Sequence, residues 1–247
     1  MIRLVGVLNV TPDSFSDGGE YVDPERAIAH AEKLFADGAA IVDVGAESTR
    51  PNADKLSDEE EWRRLEPVLR VLIPKYPGQI SLDSYHPTTM RRALSIGSVI
   101  MNDVTAFHGP EMQDVAIEYG ARVIISHLPG VDIQRAHRDV PVVTAEAVRD
   151  DLREIAERLE ARGLPRKNII LDPGIGFGKP MELNWELLKF AELVPDYEVI
   201  IGYSRKRFLG ERRMELGPNL AAGEIAIEHG AAYLRVHDVA GHARLLQ

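Results

Sequence analysis

The 247-residue sequence contains no cysteine, and that absence removes disulfides, thiolate nucleophiles and thiolate metal ligands together. No apolar run approaches the roughly 18 residues that a membrane-spanning helix requires. Basic residues are also short: 29 Lys and Arg stand against 39 Asp and Glu, a formal net charge of −10. Such a balance argues against a surface that tracks nucleic acid or anionic lipid, so any anionic ligand must meet a local cluster of cations. The eight histidines form no pair with ligand spacing, His237 and His242 being five apart, and a structural zinc is not expected. The N-terminus carries one Arg and a short apolar run ending at Asn9, without a small-residue cleavage site. A cytoplasmic protein is the expectation, and in that setting the Asn9-Val10-Thr11 glycosylation sequon has no consequence.

With 45% hydrophobic and 28% charged residues, the composition is that of an ordinary globular protein, and one α/β barrel fills this length. A single domain over residues 1–247 is therefore expected. Eight short apolar runs, at 4–8, 40–44, 79–82, 99–101, 123–125, 169–171, 199–201 and 233–236, alternate with stretches of helical periodicity at 24–37, 58–75, 88–95, 111–119, 144–162, 182–193 and 218–229. Asp23 before Pro24 and Ser57 before an acidic turn read as helix starts, while Gly38, Gly97, Gly120, Gly163 and Gly230 read as helix ends. Apolar runs that are continuous rather than alternating imply strands buried on both faces, hence a parallel sheet. Eight strand-helix units predict a single α/β domain, a (β/α)8 TIM barrel, with an open doubly wound sheet as the alternative. The one long connection, 128–143, holds Pro129, Gly130 and Pro141.

In a barrel of this kind reactive groups stand at the carboxyl ends of the strands. All eight ends are polar here: Asn9; Glu47, Thr49 and Arg50; Asp83; Asn102 and Asp103; His127; Asp172; Ser204, Arg205 and Lys206; Arg235, His237 and Asp238. One such residue is commonly a cap, but eight around one axis point to a site. Asp83, Asn102 and Asp172 are short and planar, suited to the N–H edge of a flat heterocycle. Arg50, Lys206, Arg235 and His237 suit phosphate oxygens or a carboxylate. A ligand with both ends fits best.

The segment Asp172-Pro-Gly-Ile-Gly-Phe-Gly-Lys179 has three glycines but not a nucleotide-loop spacing, since Pro180 stands where Ser or Thr would be needed. Its glycines are expected to let the backbone approach a flat ligand, with Asp172 on the polar edge and Phe177 either a wall of the site or a core residue. Mg2+ needs few protein oxygens and rides on substrate phosphates, so Asn9 is its candidate ligand.

These blocks, taken in order, resemble the dihydropteroate synthase family over nearly the whole chain. The resemblance rests on residues 8–19 (LNVTPDSFSDGG), Glu47-Ser-Thr-Arg-Pro51, Leu82-Asp-Ser84, Asn102-Asp-Val104, the glycine segment, Ser204-Arg-Lys206 and Arg235-Val-His-Asp-Val239. It implies that Asp83, Asn102, Asp172 and Lys206 hold a pterin ring. It places Asn9, Arg50, Arg235 and His237 around its pyrophosphate, with Asn9 also near Mg2+. Thr49, Pro51, Phe177 and the segment opening at Ser204 would receive p-aminobenzoate, under loops 13–19 and 48–55. A homodimer through late helices is implied as well. The chain departs from the family at Ser126-His-Leu-Pro-Gly130, where Met-His-Met is usual, and at Asn52, where Gly is usual.

The implied reaction displaces pyrophosphate from the pterin methylene by the aromatic amine, with no covalent enzyme intermediate. The protein's tasks are then to stabilise the leaving group and align the amine, which suits Arg50, Arg235, His237 and Lys206. Two rivals share the fold: a methyltetrahydrofolate-dependent methyltransferase, which needs no pyrophosphate cluster, and a paralogue that binds pterins without turnover.

Overall fold

The structure, a computed structural model, describes residues 2–11, 23–47, 56–128 and 144–246. Eight parallel strands close into a barrel in sequence order: β1 (Arg3–Asn9), β2 (Ala39–Gly45), β3 (Ile80–Asp83), β4 (Ile100–Asp103), β5 (Arg122–Ser126), β6 (Ile169–Asp172), β7 (Glu198–Ile201) and β8 (Tyr233–Val236), with β8 returning to pair with β1. The expected barrel is therefore present, and the open sheet is excluded. Around it run α1 (Pro24–Ala36), α2 (Asp58–Lys75), α3 (Pro87–Ile96), α4 (Pro110–Tyr119), α5 (Ala145–Ala161), α6 (Met181–Glu186) and α7 (Leu216–Glu228). No described helix is long and apolar enough to cross a membrane.

Local chemistry sets several boundaries. Asp23 accepts from the backbone N–H of Glu25 and Arg26, and Ser57 from Glu60, so both caps form as expected. The stretch 182–193 does not form one helix: α6 ends at Glu186 and a 3-10 helix continues over Leu187–Leu193. Three residues per turn bring Leu187, Phe190 and Leu193 onto one side, where Leu187 and Phe190 are fully buried. A short terminal helix, α8 (Val239–His242), follows an Asp238 cap and was not signalled by periodicity.

Strand alternation divides the core in two. Outward residues such as Leu4, Leu8, Val42, Val44, Leu82 and Leu171 pack under the helices. Inward, Val5, Ile41, Ile100, Ile124, Ile170, Ile200 and Tyr233 fill the lumen. Below them, at the strand N-termini, Arg122 donates to the Tyr233 hydroxyl at 2.6 Å and to Glu198 at 3.2 Å; Arg3 pairs with Glu198 and lies 3.9 Å above the Tyr233 ring. Two residues beyond the apolar layer, toward the other end, the same alternation brings Asp43, Asn102, Ser126, Asp172, Gly202 and Arg235 to the inside.

The lumen layer supports that upper tier, so truncating it should loosen the whole barrel. Ile170→Ala is expected to cost about 2–5 kcal/mol, read as a lower urea midpoint with an unchanged slope. A loss below about 1 kcal/mol would show that the layer collapses around the gap.

Candidate active site

Arg235 enters the barrel mouth from β8, two residues above Tyr233, and its side chain is only 12% exposed. Its guanidinium lies between two carboxylates: Nη2 donates to Asp172 at 2.9 Å and Nη1 to Asp43 at 3.2 Å. Burial alone would lower its pKa, but Asp172, Asp43 and Asp83 outweigh that and hold it above the ordinary arginine value. The guanidinium also rests against Gly202, where a Cβ would stand 3.1 Å from Nε and Nη2. Asn102 completes the frame: its Nδ2 donates to both oxygens of Asp43, at 3.0 and 3.2 Å, and its Oδ1 accepts from the Ser126 hydroxyl at 3.4 Å.

Beside this frame Asp83 is pushed up to about 8, first by burial and next by the Asp43 charge, with Arg235 pulling the other way. That shift favours the protonated acid, which can donate as well as accept. Lys206 is pushed down to about 8 by burial, against the attraction of Asp172; its ammonium donates to the Ile175 carbonyl and stands 5.2 Å from the centre of the Phe177 ring. Phe177 is buried against Leu128 in a small cluster separate from the main core, which favours a wall of the site. Ser204 accepts from the backbone N–H of His237 at 3.3 Å and lies 3.1 Å from its Nδ1. Asn9 is exposed at the end of β1, on the inward side by alternation.

The glycine segment also has a reason within the protein itself. Gly174 and Gly176 have φ of +65° and +84°, and a Cβ on them would meet the His127 carbonyl oxygen at 2.0 Å and Lys206 Cδ at 3.0 Å. Protein atoms approach both glycines closely. Lys179, 8% exposed, ties the loop down by donating to the carbonyls of Gly174 at 2.8 Å and His127 at 3.3 Å. Burial pushes its pKa down to about 7, against the pull of Asp172.

The structure thus brings together Asp83, Asn102, Asp172, Lys206, Arg235 and Phe177, with Ser204 and His237 as a bonded pair. Thr49, Arg50 and Pro51, and the loops 13–19 and 48–55, lie outside the described residues. Not every polar strand end faces the mouth. Strand alternation turns Ser126 inward and His127 outward, where its Nε2 lies 3.2 Å from Asp151. Asp103 instead accepts from Thr105 and Phe107 in the following turn, Asp238 caps α8, and Glu47 accepts from the Tyr85 hydroxyl at 2.9 Å. Among the described residues no three His, Asp or Glu side chains are placed to hold a metal ion. Sequence reasoning missed Asp43, Ser126 and Lys179. Asp43 carried a signal: a lone carboxylate inside a doubly buried strand requires a partner.

The pterin binding enzyme family matches residues 5–237 of the chain. The dihydropteroate synthase of Bacillus subtilis is 37% identical over 251 residues, taking in 98% of this chain and 85% of that one. A probable bifunctional folylpolyglutamate synthase/dihydropteroate synthase of Haloferax volcanii is 40% identical over 244 residues; the match takes in 96% of this chain but 29% of that longer protein. Among solved structures, Xanthomonas albilineans dihydropteroate synthase with 4-aminobenzoic acid superposes with a TM-score of 0.86 at 37% identity, covering 99% of this chain and 90% of that one.

The raised pKa of Asp83 fixes a pH dependence. The folded state keeps a proton that an unfolded Asp loses near pH 4, so this group's contribution to stability is full below about pH 4 and falls away as pH rises toward 8. In Asp83→Asn that slope should vanish. The Tm of the variant relative to the parent should climb between pH 4 and 8 and then level off; a difference flat across that window would mean that Asp83 is ionised in the folded state.

Proposed function

The chain belongs to the pterin-binding enzyme family and, within it, to the dihydropteroate synthases, and from that membership we propose how its own residues work. The reaction joins 6-hydroxymethyl-7,8-dihydropterin pyrophosphate to p-aminobenzoate, giving 7,8-dihydropteroate and pyrophosphate. The observation that carries the reading is the frame at the barrel mouth, where Arg235 stands between Asp43 and Asp172 with Asn102, Asp83 and Lys206 beside it. It offers carboxylate, carboxylic acid and amide groups to a heterocycle edge, and cations to a charged tail.

In this reading Asp83, Asn102, Asp172 and Lys206 bind the pterin, and Asn9, Arg50, Arg235 and His237 receive the pyrophosphate. Thr49, Pro51, Phe177, Ser204 and Lys206 place p-aminobenzoate. Arg235 keeps N–H groups beyond the two spent on carboxylates, and these reach the phosphate. The C–O bond to pyrophosphate breaks, the C–N bond to the aromatic amine forms, and the amine proton leaves to water. The electron-rich pterin carries positive charge at the methylene as the leaving group departs. Pre-placed cations favour that departure, and alignment over Phe177 favours capture by the amine. Mg2+ fits the same mouth, since the exposed Asn9 offers a carbonyl oxygen and phosphate supplies the rest of a hard-oxygen set. When bound it neutralises leaving-group charge.

We further propose a homodimer, supported by the exposed Met181 and Trp185, which are four apart on α6 and share a face. Cytoplasmic location and the absence of nucleic-acid partners follow the sequence expectation. The folylpolyglutamate synthase activity in the Haloferax volcanii name is not extended to this chain.

Pyrophosphate release should require both substrates together, and pterin binding without release would favour the non-catalytic paralogue. Asp172→Asn should keep the fold and weaken pterin binding by about 1.5–3 kcal/mol, because a carboxylate that accepts charge-assisted bonds becomes an amide. Calorimetry with the folded variant checks this; unchanged affinity removes Asp172 from the ring edge.

A further inference from the structure

Asp43 has no place in the roles given above, yet it touches both halves of the site. It lies midway along β2, 4% exposed, and one carboxylate serves two partners. Both oxygens accept from Asn102, the ring-edge amide, and Oδ2 also pairs with Arg235, the cation assigned to the leaving group. The amide is held from its other end as well, where Oδ1 accepts from Ser126.

We propose that Asp43 is a positioning residue that ties recognition of the pterin ring to restraint of Arg235. On the ring side, it fixes which end of the Asn102 amide faces which way. With Nδ2 turned to Asp43 and Oδ1 to Ser126, the amide leaves one N–H and one lone pair for a heterocycle edge in a set order. On the phosphate side, Asp43 and Asp172 together divide the charge of the guanidinium, so that an anion arriving at Arg235 competes with two carboxylates already bonded to it. The site therefore holds pyrophosphate less tightly than a free arginine would, which favours release of that product. The inference rests on the assignment of Arg235 to pyrophosphate and Asn102 to the pterin.

Those two effects have opposite signs when the charge is removed, and this separates positioning from plain structural support. In Asp43→Asn the amide cannot accept equally well from both partners, so the affinity for 6-hydroxymethylpterin should fall at least fivefold. The lost negative charge leaves Arg235 with one carboxylate, so inorganic pyrophosphate in the presence of Mg2+ should bind at least threefold more tightly. Calorimetric titration of each ligand into the parent and the variant reads both. Parallel weakening of the two ligands, or an unchanged pterin affinity, overturns the proposal. Asn102→Ala approaches it from the other side without altering Asp43, and serves if Asp43→Asn does not fold. With Asn102 gone, Asp43 turns its whole charge on Arg235, and pyrophosphate should bind about threefold more weakly although Asn102 itself meets no phosphate; unchanged affinity sinks the coupling. Failure of the underlying assignment looks different, since the parent protein would then bind neither 6-hydroxymethylpterin nor pyrophosphate.

Discussion

The architecture of the mouth depends on one guanidinium inserted between two buried carboxylates. Without Arg235, Asp43 and Asp172 would be like charges facing each other in a barrel interior, and removing one member of such a buried set costs about 3–5 kcal/mol in well-studied cases. With it, both carboxylates accept from one guanidinium, while Asp83, which has no such bond, is pushed toward its protonated form by burial and by the Asp43 charge. Three inward aspartates thus meet one cation differently, two by hydrogen bond and one by charge alone. Position relative to a single cation divides them.

A second restraint holds the covering loop. Lys179 and Lys206 each spend an ammonium on backbone carbonyls of the 172–179 segment, and Asn184 accepts from Gly176 and donates to the carbonyls of Lys179 and Pro180. The segment is therefore a rigid wall rather than a loose glycine strap. Its positive φ values at Gly174 and Gly176 let it pass close to β5 and to Lys206, which fixes Phe177 against Leu128. Leu128 lies in the stretch where the sequence departs from its family, and so the departure reaches the wall of the site through this contact.

Much of this was legible in the residues. The continuous apolar strands and the punctuation by Asp23, Ser57 and Gly120 announce a parallel barrel because burial on both faces and helix termination leave direct marks on composition. Asp83, Asn102 and Asp172, which gather at the mouth, were legible because they sit one step past each apolar run. What strand-end position does not reveal is parity: His127 and Asp103 are as polar as Ser126 and Asn102 but point outward, and only the alternation counted from Ile124 and Ile100 separates them. Asp43 was hidden for the opposite reason, lying inside a run that otherwise reads as pure core. Thr49, Arg50 and Pro51 lie outside the described residues, so their place in the site rests on sequence alone.

At the opposite end of the lumen, Arg3, Arg122, Glu198 and Tyr233 form a stopper under a full apolar layer. The barrel is in effect a blind cup, filled and emptied from a single rim. A group seated deep in such a cup can leave only after whatever is seated above it has moved. The charged groups of the stopper are set apart from that traffic by the apolar layer, to which Tyr233 belongs while its hydroxyl reaches down to them, so charge exchanged there reaches the mouth only through that partition.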